Sequence, residues 1–142
     1  MKVITTSGNI SVLSFARGEE VFESLLTYCT ENNIKGGLFT GIGAADELEI
    51  AYYHLPTKTY ERKKISEEVE IASLTGNVGI LDGKTALHIH GVFSKRDLST
   101  FGGHLFKLRI SGACELQFIS LPSPLNRAYD EETGLNLLTI ET

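Results

Sequence analysis

Residues 88–105 read HIHGVFSKRDLSTFGGHL and hold three of the chain's four histidines. His88 and His90 are separated by one residue. On a β-strand that spacing turns both imidazoles to one side, ~7 Å apart along the chain, with Leu87 and Ile89 on the other. Two imidazoles so placed can converge on one metal ion. The polar, Gly-rich stretch SKRDLSTFGG then returns the chain, so that His104 can lie on a neighbouring strand. Three imidazoles form one face of a tetrahedron and leave the fourth position to water or substrate, the pattern of a catalytic rather than a structural zinc site. Zinc is the expected metal, although imidazoles suit other divalent transition metals too. The competing reading is two solvent-facing strand histidines and a third hydrogen-bonded in the core. His54, in AYYHLP, reads as a strand-end polar residue.

Two carboxylates stand inside apolar strand patterns, Glu70 in EVEIASL and Glu115 in CELQF. They are the candidate catalytic residues. Each can accept a hydrogen bond from a ligand histidine, supply a fourth ligand, or act as general acid or base. The alternative is the outer face of an edge strand. Arg109 is a further candidate for holding substrate, but regular alternation puts it on the opposite side of its strand from His104.

The elements that must position these residues are mostly strands. Apolar runs bounded by turn residues predict strands at 9–16, 36–42, 47–54, 58–65, 68–81, 84–93, 104–111, 113–121 and 135–140. Asp82-Gly83 is a strong tight-turn signal, and Ser111-Gly112 a weaker one. One helix is expected at about 19–32, where Val21, Phe22, Leu25, Leu26 and Cys29 recur at helical spacing and Asn32, Asn33 and Gly36 supply stop signals. The expected architecture is α+β: a mainly antiparallel sheet with one long covering helix, in a single domain over residues 1–142.

GLFTGIGAAD at 37–46 resembles a dinucleotide-binding turn, but Asp46 takes the third glycine position and a strand pattern follows. Gly41 and Gly43 instead suggest a tight turn or close backbone approach. Lys58, Arg62, Lys63 and Lys64, with Tyr60 among them, form a basic cluster that suits nucleic acid. The acidic run Glu67, Glu68 and Glu70 follows at once, and a solvated hairpin is the expected role.

A net charge of -5 argues against broad electrostatic binding to nucleic acid, which needs a basic surface. The apolar fraction, 42%, excludes a disordered chain. No apolar run is long enough to span a bilayer, and MKVITTSGNISV lacks the apolar stretch of a secretory signal, so a cytoplasmic protein without membrane contact is expected. Cys29 and Cys114 form no CxxC pair and read as reduced core thiols.

The order and spacing of SFARGEEVFESLL, GIGAAD, EVEIASLTGNV, HIHGVFS, GGHL, CELQF and NRAYDEETGLNLL carry a family resemblance over almost the full length. The chain resembles the stand-alone prokaryotic form of the PPC domain, named for its presence in plants and prokaryotes. That resemblance implies a compact α+β subunit, a homotrimer, and a DNA-binding or regulatory role. The plant proteins carry AT-hook segments, and this sequence has no such Arg-Gly-Arg element. The fold also resembles acetolactate decarboxylase, a zinc enzyme whose metal is held by a His-x-His pair and a third histidine. His88, His90 and His104 match that pattern. Three functions follow: a homotrimeric regulatory module with a trihistidine metal site; alternatively a zinc-dependent, lyase- or decarboxylase-like enzyme on a small carbonyl or carboxylate; or a trimer in which the metal is structural.

Overall fold

A computed structural model describes residues 1–140. Among the described residues, nine strands form one sheet: β1 (Lys2–Ser7), β2 (Ile10–Ala16), β3 (Gly37–His54), β4 (Thr59–Ile65), β5 (Val69–Leu81), β6 (Lys84–Ser94), β7 (Thr100–Ser120), β8 (Asn126–Asp130) and β9 (Leu135–Leu138). One helix, α1 (Val21–Glu31), stands between β2 and β3, and a short 3-10 turn (Leu55–Thr57) joins β3 to β4. The α+β expectation holds, with two corrections. The sheet is mixed, because β8 runs parallel to β5 while every other strand pairing is antiparallel.

The helix is short, at 11 residues. Its expected first residues are used elsewhere. Gly18 donates to Ile110 O, and Ile110 N donates back to Glu19 O, which ties this segment to β7. Glu20 then caps the helix, its carboxylate accepting from Glu23 N at 2.8 Å and from Leu108 N at 2.9 Å. Of the expected face, Val21, Leu25 and Cys29 are buried against the sheet, whereas Phe22 and Leu26 are half-buried. Leu25 is fully buried, so Leu25→Ala should cost ~2–5 kcal/mol in denaturant unfolding. A loss under ~0.5 kcal/mol, typical of surface positions, would contradict the packing.

β3 and β7 are longer than their sequence patterns suggested. The runs 36–42 and 47–54 merge into β3, and 104–111 and 113–121 merge into β7. Both pass through register shifts, at Gly43/Ala45 opposite Ile110–Cys114. Ser111-Gly112 is therefore a bulge inside a strand and not a turn. Gly43 lies against β7 so closely that a Cβ there would sit 2.4 Å from Ala113 O. Asp82 and Gly83 both have positive φ, 50° and 75°, and close the β5–β6 hairpin as predicted. β3, β5, β6 and β7 pair in a closed ring.

The inner face carries the core, with Phe15, Phe39, Leu74, Ile89, Phe93, Leu116 and Phe118 buried. Alternation puts Ile10, Ile119, Leu38, Asn77 and His88 in one register row on the other face, crossing β2, β7, β3, β5 and β6. Among the described residues, no helix is long and apolar enough to cross a membrane.

Candidate metal centre

β6 carries His88 and His90 on the outer face, and β7 sets His104 directly opposite His90 in register. The return between them is closed by Lys95 N donating to Ser99 O and by Asp97 accepting from Ser99 N. The glycines let strands meet tightly here. A Cβ on Gly102 would lie 2.7 Å from Gly91 O, and one on Gly103 2.7 Å from Ala51 O.

The three imidazoles converge. His88 Nε2 lies 3.2 Å from His90 Nε2, and His104 Nδ1 lies 3.4 Å from the same atom. One ligand nitrogen from each falls within 4.8 Å of the others. His104 packs in a three-ring cluster with Tyr60 and Phe106, at centroid distances of 5.0 and 4.7 Å, and Arg62 lies over Phe106. The sequence cluster around Tyr60 thus supplies a wall of the site as well as a solvated hairpin, where Arg62 pairs with Glu49.

Partial desolvation by the surrounding protein disfavours the charged form of all three histidines. It lowers His88, helped by the Arg127 guanidinium and then His90; it lowers His90; and it takes His104 down to about 4, with His88, His90 and Arg62 adding repulsion. Neutral imidazoles are the form a metal needs, so the donor set fits a divalent transition ion. The same shifts predict a pH effect on the metal-free protein. The unfolded chain binds more protons than the folded one between about 6.5 and the lowered folded values, so stability falls as pH drops through that window. His104→Gln should flatten the decline. Urea midpoints from pH 7 to pH 5 check this, and equal slopes for the two proteins would contradict it.

Arg127 was missed in the sequence because β8 was not foreseen. Its Nη2 donates to Asn77 Oδ1 at 2.6 Å and lies 3.4 Å from His88 Nδ1, and its Nη1 donates to Asn136 O at 2.7 Å. The one available signal was the turn sequence EETG between NRAYD and LNLL, which closes the β8–β9 hairpin. Glu70 and Glu115 come together, but in a separate concavity with Ile42 that none of the histidines lines. Arg109 pairs with Asp46 at 2.8 Å and with Glu47 at 3.5 Å. His54 ends β3 and contacts Thr57. Cys29 and Cys114 are free, buried thiols, each pushed up to about 12 by burial.

The site opens on both sides. One concavity, about 530 Å³, joins His88 and His90 to Ile10, Leu38, Gln117 and Ile119. The other, about 840 Å³, contains all three histidines with Tyr53, Tyr60, Leu87, Arg127 and Leu135.

Comparison with known proteins agrees with this architecture. The model of the Plants and Prokaryotes Conserved (PCC) domain matches residues 3–122. No curated protein matches the chain. A solved structure named "putative DNA binding protein" from Bacteroides thetaiotaomicron is 31% identical, with a TM-score of 0.91, over 95% of this chain and 94% of that one. A metal-containing protein from Archaeoglobus fulgidus is 34% identical, with a TM-score of 0.87, over 99% and 100%. Alpha-acetolactate decarboxylase from Bacillus subtilis shares the fold more distantly, at 13% identity and a TM-score of 0.55, over 78% of this chain and 51% of that one.

Proposed function

This chain belongs to the Plants and Prokaryotes Conserved (PCC) domain family, and from that premise we propose that it is a cytoplasmic homotrimer built around a metal site. His88, His90 and His104 hold one divalent transition metal, zinc, with a coordination position open to a small molecule. The observation that carries this reading is the convergence of three ligand nitrogens within 4.8 Å at the mouth of two concavities. A zinc ion on three neutral imidazoles polarises a carbonyl or activates water, which suits lyase- or decarboxylase-like work on a small carbonyl or carboxylate. The metal-containing relative from Archaeoglobus fulgidus supports the metal. Equilibrium dialysis of tag-free protein against zinc tests it. One ion per chain is expected, and no retained ion would overturn the reading.

The homotrimer rests on family resemblance, and the outer sheet face supports it. Ile10, Leu38 and Ile119 are exposed side by side, at 47%, 45% and 37%, and Ile42 and Val92 are exposed farther along β3 and β6. Exposed apolar patches of this kind mark interaction surfaces. Sedimentation equilibrium should give three chains per particle, and a stable monomer at micromolar concentration would contradict it.

A second reading is a DNA-binding regulatory module. The name of the Bacteroides relative favours it, as does the basic edge strand β4 with Arg62, Lys63 and Lys64 exposed. The net charge of -5 opposes it. DNA binding should be weak and strongly salt-dependent. Tight, sequence-selective binding at physiological salt would establish this second reading instead.

A further inference from the structure

We propose that the larger concavity binds an organic anion with an apolar body, its carboxylate lodged at the end where Arg127 and the three histidines meet. The inference rests on the metal reading above and names the class of molecule that site takes.

The charge of the cavity points to an anion. Among the described residues, no Asp or Glu lines it, whereas Arg127 does. Arg127 has no carboxylate partner among the described residues; its polar contacts are Asn77, Asn136 O and His88. Its Nε is buried with no hydrogen-bond partner. A half-buried cation without a counter-ion favours an anion, and the guanidinium's Nη groups present a planar fork that fits a carboxylate. A divalent ion on three neutral imidazoles would keep its full charge close by, because none of the proposed ligands is anionic. Both charges call for the same counter-ion.

The remainder of the wall sets the body of the ligand. Leu87, Leu135 and Leu137 line it with Tyr53, Tyr60 and Phe106. The volume, about 840 Å³, falls in the range of small-molecule sites, roughly 300–1,000 Å³. A free inorganic anion would leave this apolar wall unused, whereas a branched or aromatic carboxylic acid would cover it.

The test uses isothermal titration with two acids, 4-methylpentanoate and 3-phenylpropanoate, and their neutral primary amides. Each is titrated into zinc-loaded protein, metal-free protein and Arg127→Gln protein, with zinc content measured separately. Zinc-loaded protein should bind at least one acid, and at least about tenfold more tightly than its amide, the size of one charge-assisted hydrogen bond. Arg127→Gln should lose that preference, in part when zinc-loaded and fully when metal-free, while still retaining zinc. Arg127→Lys should recover part of it. If zinc is retained but acid and amide bind alike, or neither acid binds, the anion proposal falls and the metal reading stands. If no zinc is retained but metal-free protein still prefers the acid through Arg127, the metal reading falls and the anion site stands. An acid preference unchanged by Arg127→Gln in metal-free protein overturns the assignment of Arg127.

Discussion

His90→Ala protein should bind zinc more than about 100-fold more weakly than the wild type, a larger loss than the ~10–100-fold that removing an outer-shell partner costs. His90 is the hub of the cluster. Its Nε2 is the atom that approaches both His88 Nε2 and His104 Nδ1, at 3.2 and 3.4 Å. Removing it leaves one imidazole on each of two strands, with the shared position vacant. The side chain is exposed, so the metal-free variant should match wild-type stability to within about 0.5 kcal/mol. Zinc at about 100 times its dissociation constant should stabilise the wild type by about 2.7 kcal/mol and leave the variant nearly unmoved. Thermal unfolding with and without zinc reads both effects. Equal zinc stabilisation of the two proteins would place the metal elsewhere. His104→Ala is a less clean probe, because that ring also packs against Tyr60 and Phe106.

Gly43→Ala should destabilise the fold by about 3 kcal/mol or more, at or beyond the upper end of the usual cost of overpacking. The added methyl would meet Ala113 O at 2.4 Å and Cys114 Cα at 2.6 Å. Both are backbone atoms of β7, and no side-chain rotation relieves them. β7 here is held by β2 on its other side, so it cannot retreat without breaking that ladder. Gly112→Ala, on the same bulge, is the control. Its nearest contact is Ala44 Cβ at 3.9 Å, and the change should stay within about 0.5 kcal/mol. Urea unfolding of both variants checks the pair, and equal stabilities would contradict the close approach of β3 and β7.

These two glycines show where the sequence could be read and where it could not. Close backbone approach at Gly43 was one of the two readings its sequence offered, the other being a tight turn between the strands expected at 36–42 and 47–54; the structure carries β3 straight through it. The strand continuity through Gly112 was not legible, because glycine marks a turn and a bulge with the same residue. The histidine site was legible for a local reason: i, i+2 spacing fixes a shared side, and a short loop forces the next strand alongside. Arg127 was hidden because it reaches the site through a parallel pairing of β8 with β5, Leu81 opposite Arg127, across more than forty residues of chain. Short-range pattern carries no signal for that pairing. Glu70 and Glu115 looked like partners for the histidines because they stand in apolar strands. Alternation does put them on the outer face, but lower along the strands, beside Ile42.

The helix length follows the same logic. Periodicity located the buried stripe of Val21, Leu25 and Cys29. It could not show that residues 18–20 would be drawn into bonding with β7, because the partner, Ile110, lies ninety residues away.

The most direct measurement of the central claim is zinc K-edge X-ray absorption on the loaded, tag-free protein. The expected spectrum shows a four-coordinate ion with three imidazole ligands and one light oxygen donor, at one ion per chain. A shell containing sulfur, an all-oxygen six-coordinate shell, or an imidazole count unchanged in His90→Ala would contradict the trihistidine centre.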